Sequence, residues 1–255
     1  MSAWLNLIKY FVIKDIRARY AGSGLGILWS LLTPVFQIVI YVFVFSTVMK
    51  TRPYGNTAIP YSLFLLSTFF FWLAFSEGIL RASGVILENA DMVKKISFPN
   101  IVLPVSVTVS TYLPHMVGFL LFLVYFALRF SLGAPALLVI PVVILQLAFT
   151  IGIGVLLAAF MPYVRDISQL LGYVIQGLFF LSPVLYSFEA IPEKLRFLFY
   201  LNPFTYFAAS YQKIILSGEL PPAGYWAIII VLSVATLAAG VAAFQKLREG
   251  FPDVL

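Results

Sequence analysis

The stretch LLVIPVVILQLAFTIGIGVLLAAF, Leu137 to Phe160, runs 24 residues without one charged side chain. At about 1.5 Å of rise per residue, a helix of that length covers the ~30 Å hydrocarbon layer of a bilayer. Five further intervals free of charge lie between Arg19 and Lys50, Arg52 and Glu77, Lys95 and Arg129, Asp166 and Glu189, and Glu219 and Lys246. Each holds one span. The spans read as Gly26 to Met49, Ile59 to Leu80, Ile101 to Leu128, Leu137 to Phe160, Ile167 to Tyr186 and Tyr225 to Phe244. Composition agrees, because 62% of the 255 residues are hydrophobic and 10% charged, whereas a soluble domain is nearer half apolar and a quarter charged. A soluble core of this size would lack the polar residues to cover it.

The lysines and arginines orient these spans. An even number places both ends on one side, and the positive-inside bias chooses it. The N-terminal segment, the loops after spans two and four, and the tail carry Lys9, Lys14, Arg17, Arg19, Arg81, Lys94, Lys95, Arg165, Lys246 and Arg248. The other side carries Lys50, Arg52, Arg129, Lys194, Arg196 and Lys213. Both ends are therefore expected in the cytoplasm. The net charge of +6 is distributed singly or in short groups between apolar runs, a topology signal and not a nucleic-acid patch. The first 25 residues mix charged and apolar positions, so no cleavable signal peptide is expected.

Two stretches are neither plain span nor plain loop. From Leu5 to Tyr20, apolar Leu5, Ile8, Phe11, Val12 and Ile16 recur at helical spacing among Lys9, Lys14, Arg17 and Arg19, the pattern of an amphipathic helix in the membrane interface; a basic lead-in without special geometry is the alternative. From Ser187 to Lys213, an aromatic run too short to cross is broken by Pro203. Irregular backbone at membrane depth needs protein or water around it, so the run reads as short re-entrant helices or as an amphipathic helix on the outer surface.

Several chemistries are excluded. No Gly precedes a Lys, so the phosphate-cradling P-loop is missing and any ATP hydrolysis belongs to another polypeptide. With no cysteine and a single histidine, neither a disulfide framework nor a thiolate metal site is possible, and an H-E-x-x-H zinc site is excluded. Within the spans only Glu77 and His115 are ionisable in the physiological range. Glu77 either reaches the interface or pairs with Arg81 one turn away. His115 follows Pro114 in mid-span and suits a hydrogen-bonded structural role more than proton coupling. Aromatic residues make up 17% of the chain, with 25 Phe and 14 Tyr. Rings such as Tyr41 and Phe180 could stack on sugar faces along a pore, or serve in helix packing.

The segment Lys14-Asp-Ile-Arg-Ala-Arg-Tyr-Ala-Gly-Ser-Gly-Leu-Gly-Ile-Leu-Trp29, continuing to Leu32-Thr-Pro34, resembles the opening of ABC-2 type permeases for polysaccharide export. Asp15, Arg19, Tyr20, Ser23, Leu25, Gly26, Trp29 and Pro34 carry the resemblance. Asn89 to Pro99 is similar to the family's cytoplasmic segment between spans two and three. Ser182-Pro-Val-Leu-Tyr186, Ile191-Pro192 and Leu201-Asn-Pro203 are similar to its external gate region.

The resemblance covers essentially the whole chain as a single transmembrane domain. It implies an interface helix over 1–25, spans one to five over 26–186, a gate region over 187–213, span six over 225–244 and a cytoplasmic tail over 245–255. The fold class it implies is an all-α integral membrane protein with six transmembrane helices and re-entrant external gate helices. The activity implied is export of undecaprenyl pyrophosphate-linked polysaccharide, nearest to O-antigen, with teichoic acid and capsule as neighbours. Implied partners are a second copy of the chain and two copies of a P-loop ATPase, which binds MgATP; this chain holds no cofactor and resides in a bacterial inner membrane.

For individual positions, the resemblance places ATPase coupling or lipid head-group contact at Glu88, Asp91, Lys94 and Lys95. Interface-helix and pyrophosphate contacts fall at Lys14, Asp15, Arg17 and Arg19, and the external gate at Tyr186, Phe197 and Tyr200. An exporter of drugs or smaller lipids, or an ATP-independent channel or carrier, are the competing readings.

Overall fold

The computed structural model describes residues 2–48 and 59–255. The predicted end of span one at Met49, and the loop holding Lys50 and Arg52, lie outside the described residues. The described chain folds as α1 (Ser2–Arg19), α2 (Trp29–Val42), α3 (Tyr61–Glu88), α4 (Ala90–Lys95), α5 (Val102–Arg129), α6 (Val139–Phe160), α7 (Ile167–Phe180), α8 (Arg196–Leu201), α9 (Phe204–Gln212), α10 (Ala223–Leu247) and α11 (Phe251–Val254).

Among the described residues, four helical segments are long and apolar enough to cross a membrane: Tyr61–Glu88, Val102–Arg129, Ala134–Phe160 and Ala223–Val254. They correspond to predicted spans two, three, four and six. In α3, 78% of the apolar window is buried, against 22% in the last segment, so α3 is the bundle's central post and α10 lies at its rim. α3 packs on α5 and α6, and α6 packs along α10. The α6–α10 contact is backbone on backbone. A Cβ on Gly152 would stand 2.5 Å from the Leu237 amide nitrogen, and one on Gly240 would run into the Gly152 carbonyl. Small residues permit such approach where no hydrophobic force drives helices together.

The other two predicted spans are not long unbroken α-helices. Span one is helical over its described predicted range in three pieces: a 3₁₀ turn over Gly26–Leu28, α2 of 14 residues with Pro34 inside it, and a wide π-type turn over Phe43–Val48. α7, expected to run to Tyr186, stops at Phe180. The cause is Pro183, which disfavours helical backbone at Ser182, together with an outside cap. The Asn202 side-chain amide donates to the Leu178 and Leu181 carbonyls at 2.9 Å each, taking up acceptors that a helix end leaves open. Its Oδ1 accepts from the Phe204 amide at 3.0 Å. One buried side chain thus closes α7 and opens α9. Asn202→Ala should leave these groups unpaired and cost about 2 kcal/mol. The isosteric Asn202→Asp, unable to donate, should fare no better in a detergent melt; a midpoint equal to wild type in either variant contradicts this role.

The run broken at Pro203 is the pair α8 and α9. α9 is no surface helix, for Phe204, Phe207, Ala208 and Tyr211 are fully buried in the aromatic core. The Tyr211 ring stacks on Phe71 at 3.7 Å, and its hydroxyl donates to Gln146 Oε1 at 2.8 Å. Gln146 Nε2 in turn donates to the Phe71 carbonyl at 2.8 Å and to the Tyr112 hydroxyl at 3.1 Å. Tyr112 and Thr150 share a 2.6 Å hydrogen bond. This polar hub joins α3, α5, α6 and α9 inside an otherwise apolar interior.

A second, smaller core lies at the opposite end, where Val85, Ile86, Val93, Leu103, Val155, Phe244 and Phe251 meet. α1, α4, the 161–166 turn and the segment after α10 gather there. Residues 181–217 occupy the other end.

Candidate functional site: a charge cluster beneath the first helix

α1 lies along α5, with Val12 buried and the Ser106 hydroxyl donating to the Ile8 carbonyl at 3.4 Å. Apolar Trp4, Leu5, Tyr10 and Ile13 remain exposed, the arrangement expected of a helix with one side on protein and another toward lipid. After Arg19 the chain turns sharply. Gly22 at φ 77° and Gly26 at φ 52° adopt the left-handed conformation, which favours residues without Cβ.

The last turn of α1 carries the motif residues into a network. Arg81 of α3 clasps Asp15 with both guanidinium nitrogens, at 2.7 and 3.1 Å. The Ser110 hydroxyl of α5 also donates to Asp15 Oδ2. Arg19 reaches Glu77 Oε1 at 3.1 Å, and His115 Nε2 lies 2.9 Å from the other Glu77 oxygen. Thr111 Oγ1 accepts from Arg81 at 2.9 Å and from Arg19 at 3.3 Å. Two carboxylates thus balance two guanidiniums across three helices. Burial alone raises the Asp15 carboxyl. The hydrogen bonds from Arg81 and Ser110, with the charges of Arg81 and Arg19, outweigh it and hold the carboxyl below its ordinary value of 3.8.

Of the two readings of Glu77, the one-turn pair with Arg81 does not form. Both face α1 and α5 and take tertiary partners there, since a bidentate clasp satisfies a carboxylate better than a contact along one helix. His115 has the hydrogen bond foreseen for it through Nε2, while its buried Nδ1 has no partner. Arg81, Ser110 and Thr111 were not foreseen as site residues. The available signal was that Glu77, Arg81 and His115 all interrupt apolar sequence, where charge is costly and usually functional.

Arg19 also borders a cleft of about 150 Å³ with Tyr20, Ser30, Leu113 and Pro114. A second cleft, about 130 Å³, joins Lys14 and Asp15 to Glu88 and Asn89. Lys14 is exposed, with its ammonium 5.5 Å from the Phe11 ring centre; Arg17 is exposed. On α4, Asp91 and Lys95 pair at 3.0 Å with 92% and 74% of their side chains accessible, and Lys94 is exposed. Lys14, Asp15 and Glu88 thus share one cleft, while Asp91, Lys94 and Lys95 stand apart from it.

At the opposite end, Tyr186 donates to the Phe180 carbonyl and its ring meets Phe199 at 5.9 Å. The Tyr200 ring lies 4.9 Å from Phe188, and Phe197 is exposed. The Tyr41 ring lies 4.3 Å from Phe69, whereas Phe180 is half-exposed beside Phe179.

Comparison with known proteins places this geometry. Residues 6–216 match the ABC-2 type transporter family. An O-antigen export system permease protein RfbA of Klebsiella pneumoniae is 29% identical, with 98% of this chain and 95% of the relative covered. Its counterpart in Myxococcus xanthus is 30% identical over 97% and 95%. The polysialic acid transport protein KpsM of Escherichia coli is 21% identical over 95% and 93%. With its apolar crossing helices and a family match over most of its length, the chain is a membrane protein that belongs to the ABC-2 type transporter family.

Proposed function

We propose that this chain is the permease subunit of an ATP-driven exporter that carries undecaprenyl pyrophosphate-linked polysaccharide, O-antigen in kind, across the bacterial inner membrane. The observation that carries the reading is nearly full-length similarity to proteins named as O-antigen export system permeases and as a polysialic acid transport protein. The working unit is two copies of this chain with two ATPase subunits, which bind MgATP. Six spans cross the membrane with both ends cytoplasmic, α2 and α7 being the short ones, and α8 and α9 re-enter from the outside as the gate.

In this arrangement α1 lies at the cytoplasmic interface. Arg19, half committed to Glu77 and bordering a cleft, offers a planar donor suited to a pyrophosphate. Arg17 and Lys14 add positive charge beside it. α4 meets the ATPase through Lys94, Lys95, Asp91 and Glu88. Tyr186, Phe197 and Tyr200 border the outer opening, and exposed Phe180 supplies a stacking face for sugar; Tyr41, tucked against Phe69, serves that role only where α2 moves.

The test is to purify the chain with the P-loop ATPase encoded nearest to it. ATP hydrolysis is then measured with and without undecaprenyl pyrophosphate-linked glycan. A stable complex whose hydrolysis responds to the glycan lipid supports the reading; one that responds only to drugs or small lipids replaces the substrate, and failure to bind any ATPase overturns it. Lys94→Glu with Lys95→Glu should reduce ATPase co-purification about tenfold, equivalent to about 1.4 kcal/mol, with insertion unchanged because both side chains are exposed.

A further inference from the structure

The segment after α10 is not a loose tail. It passes through a 3₁₀ turn over Arg248–Gly250 into α11 and folds back beneath the bundle. Phe251 is completely buried, edge-on to Phe244 at 5.4 Å, and belongs to the same apolar cluster as Val93, the one buried side chain of α4. Tyr163, in the turn between α6 and α7, donates to the Leu247 carbonyl at 2.7 Å and packs its ring against Phe251. A Cβ at Gly250 would collide with the Tyr163 hydroxyl, so the two pieces fit closely. α4, the 161–166 turn and α11 are thereby one unit.

Outward from this apolar seam stand exposed side chains of both signs: Asp91, Lys94 and Lys95 from α4, and Arg248, Glu249 and Asp253 from the hook. A surface for anionic lipid would be uniformly basic. Mixed charge over a rigid apolar base suits a folded protein partner, which reads both signs at once.

Resting on the exporter reading above, we propose that the hook, residues 248–254, forms with α4 a single docking surface for the ATP-hydrolysing subunit. Phe251 is the positioning residue that holds α4 in place. α4, six residues long, could not keep its own orientation under load in water. The hook supplies the second attachment.

The experiment uses the full chain co-expressed with its ATPase, scoring ATPase retained per permease and hydrolysis in response to the glycan lipid. Pro252→Arg with Asp253→Arg alters only exposed positions and should lower retention about tenfold. Phe251→Ala should do the same, and Phe251→Leu should recover to within about twofold by refilling the seam. Loss in the exposed double variant supports the proposal, including the case where Phe251→Ala yields no folded protein. Wild-type retention and hydrolysis in the double variant, alongside loss in Lys94→Glu/Lys95→Glu, overturns the hook while leaving the exporter reading standing. A wild-type chain that retains no ATPase brings down both.

Discussion

Gly240→Leu is expected to leave almost no monodisperse protein after extraction into detergent. The Cβ alone would meet the Gly152 carbonyl, and the reciprocal position meets Leu237 and Thr236 backbone. Neither obstacle can swing aside as a side-chain end would. Relief requires α10 to move bodily from α6, stripping Ile229 and Phe244 from the buried positions they hold. Ser233, whose hydroxyl also donates to the Leu145 carbonyl at 2.8 Å, would lose that link. Overpacking of this kind costs about 3 kcal/mol or more. Gly224→Leu, on the same helix with open space around it, is the control and should extract as wild type. Equal behaviour of the two variants on size-exclusion would show that the close approach is not a constraint.

Removal of Arg81 should have the next largest effect. In Arg81→Ala, Asp15 keeps its burial, with 18% of its side chain accessible, and loses the clasp that offsets it. Breaking a fully buried pair costs about 3–5 kcal/mol. Partial exposure here, 31% on the arginine, lowers the expectation to about 2–3 kcal/mol. The loss should appear as release of α1. Because the chain has no cysteine, Val12→Cys provides a unique reporter, and maleimide should label it much faster in the Arg81→Ala background. Exchanging the charges, Asp15→Arg with Arg81→Asp, should restore part of the protection; labelling that ignores Arg81 altogether would refute the latch.

The pH dependence has a definite sign. A carboxyl depressed in the folded state contributes stability that is present above its unfolded value and lost as pH falls through the lower folded value. The melting gap between wild type and Asp15→Asn should therefore hold from about pH 5 to about pH 8 and close only below 3.8. α1 stays fastened throughout the physiological range.

The crossing helices were legible because lipid imposes a one-dimensional rule: a long interval without charge. Asp15 and Arg19 were legible from their motif. Their partners were not, since Arg81 lies 66 residues from Asp15 and Ser110 lies 95, and nothing local announces a contact between elements. Ser182-Pro183 was read for its likeness to a gate when its immediate effect is to end α7. Asn202 likewise stood in a recognised motif, yet its work as a cap depends on where α7 happens to finish. For residues 245–255 the resemblance implies only a cytoplasmic tail. Its docking rests on Phe251, one aromatic residue whose burial follows only from the placement of α4 and Tyr163.

The hub around Gln146 has a consequence for motion. Tyr211, Gln146, Tyr112 and Thr150 each meet a hydrogen-bonding partner on another helix, and all four are buried. A slight withdrawal of α9 strands Tyr211 and Gln146 together, and the penalty arrives in full before any new partner is within reach. Intermediate positions of α9 are thus the least favourable ones. The anchorage of α9 is therefore all-or-none: seated, every one of these partners is met, and withdrawn, several are lost together.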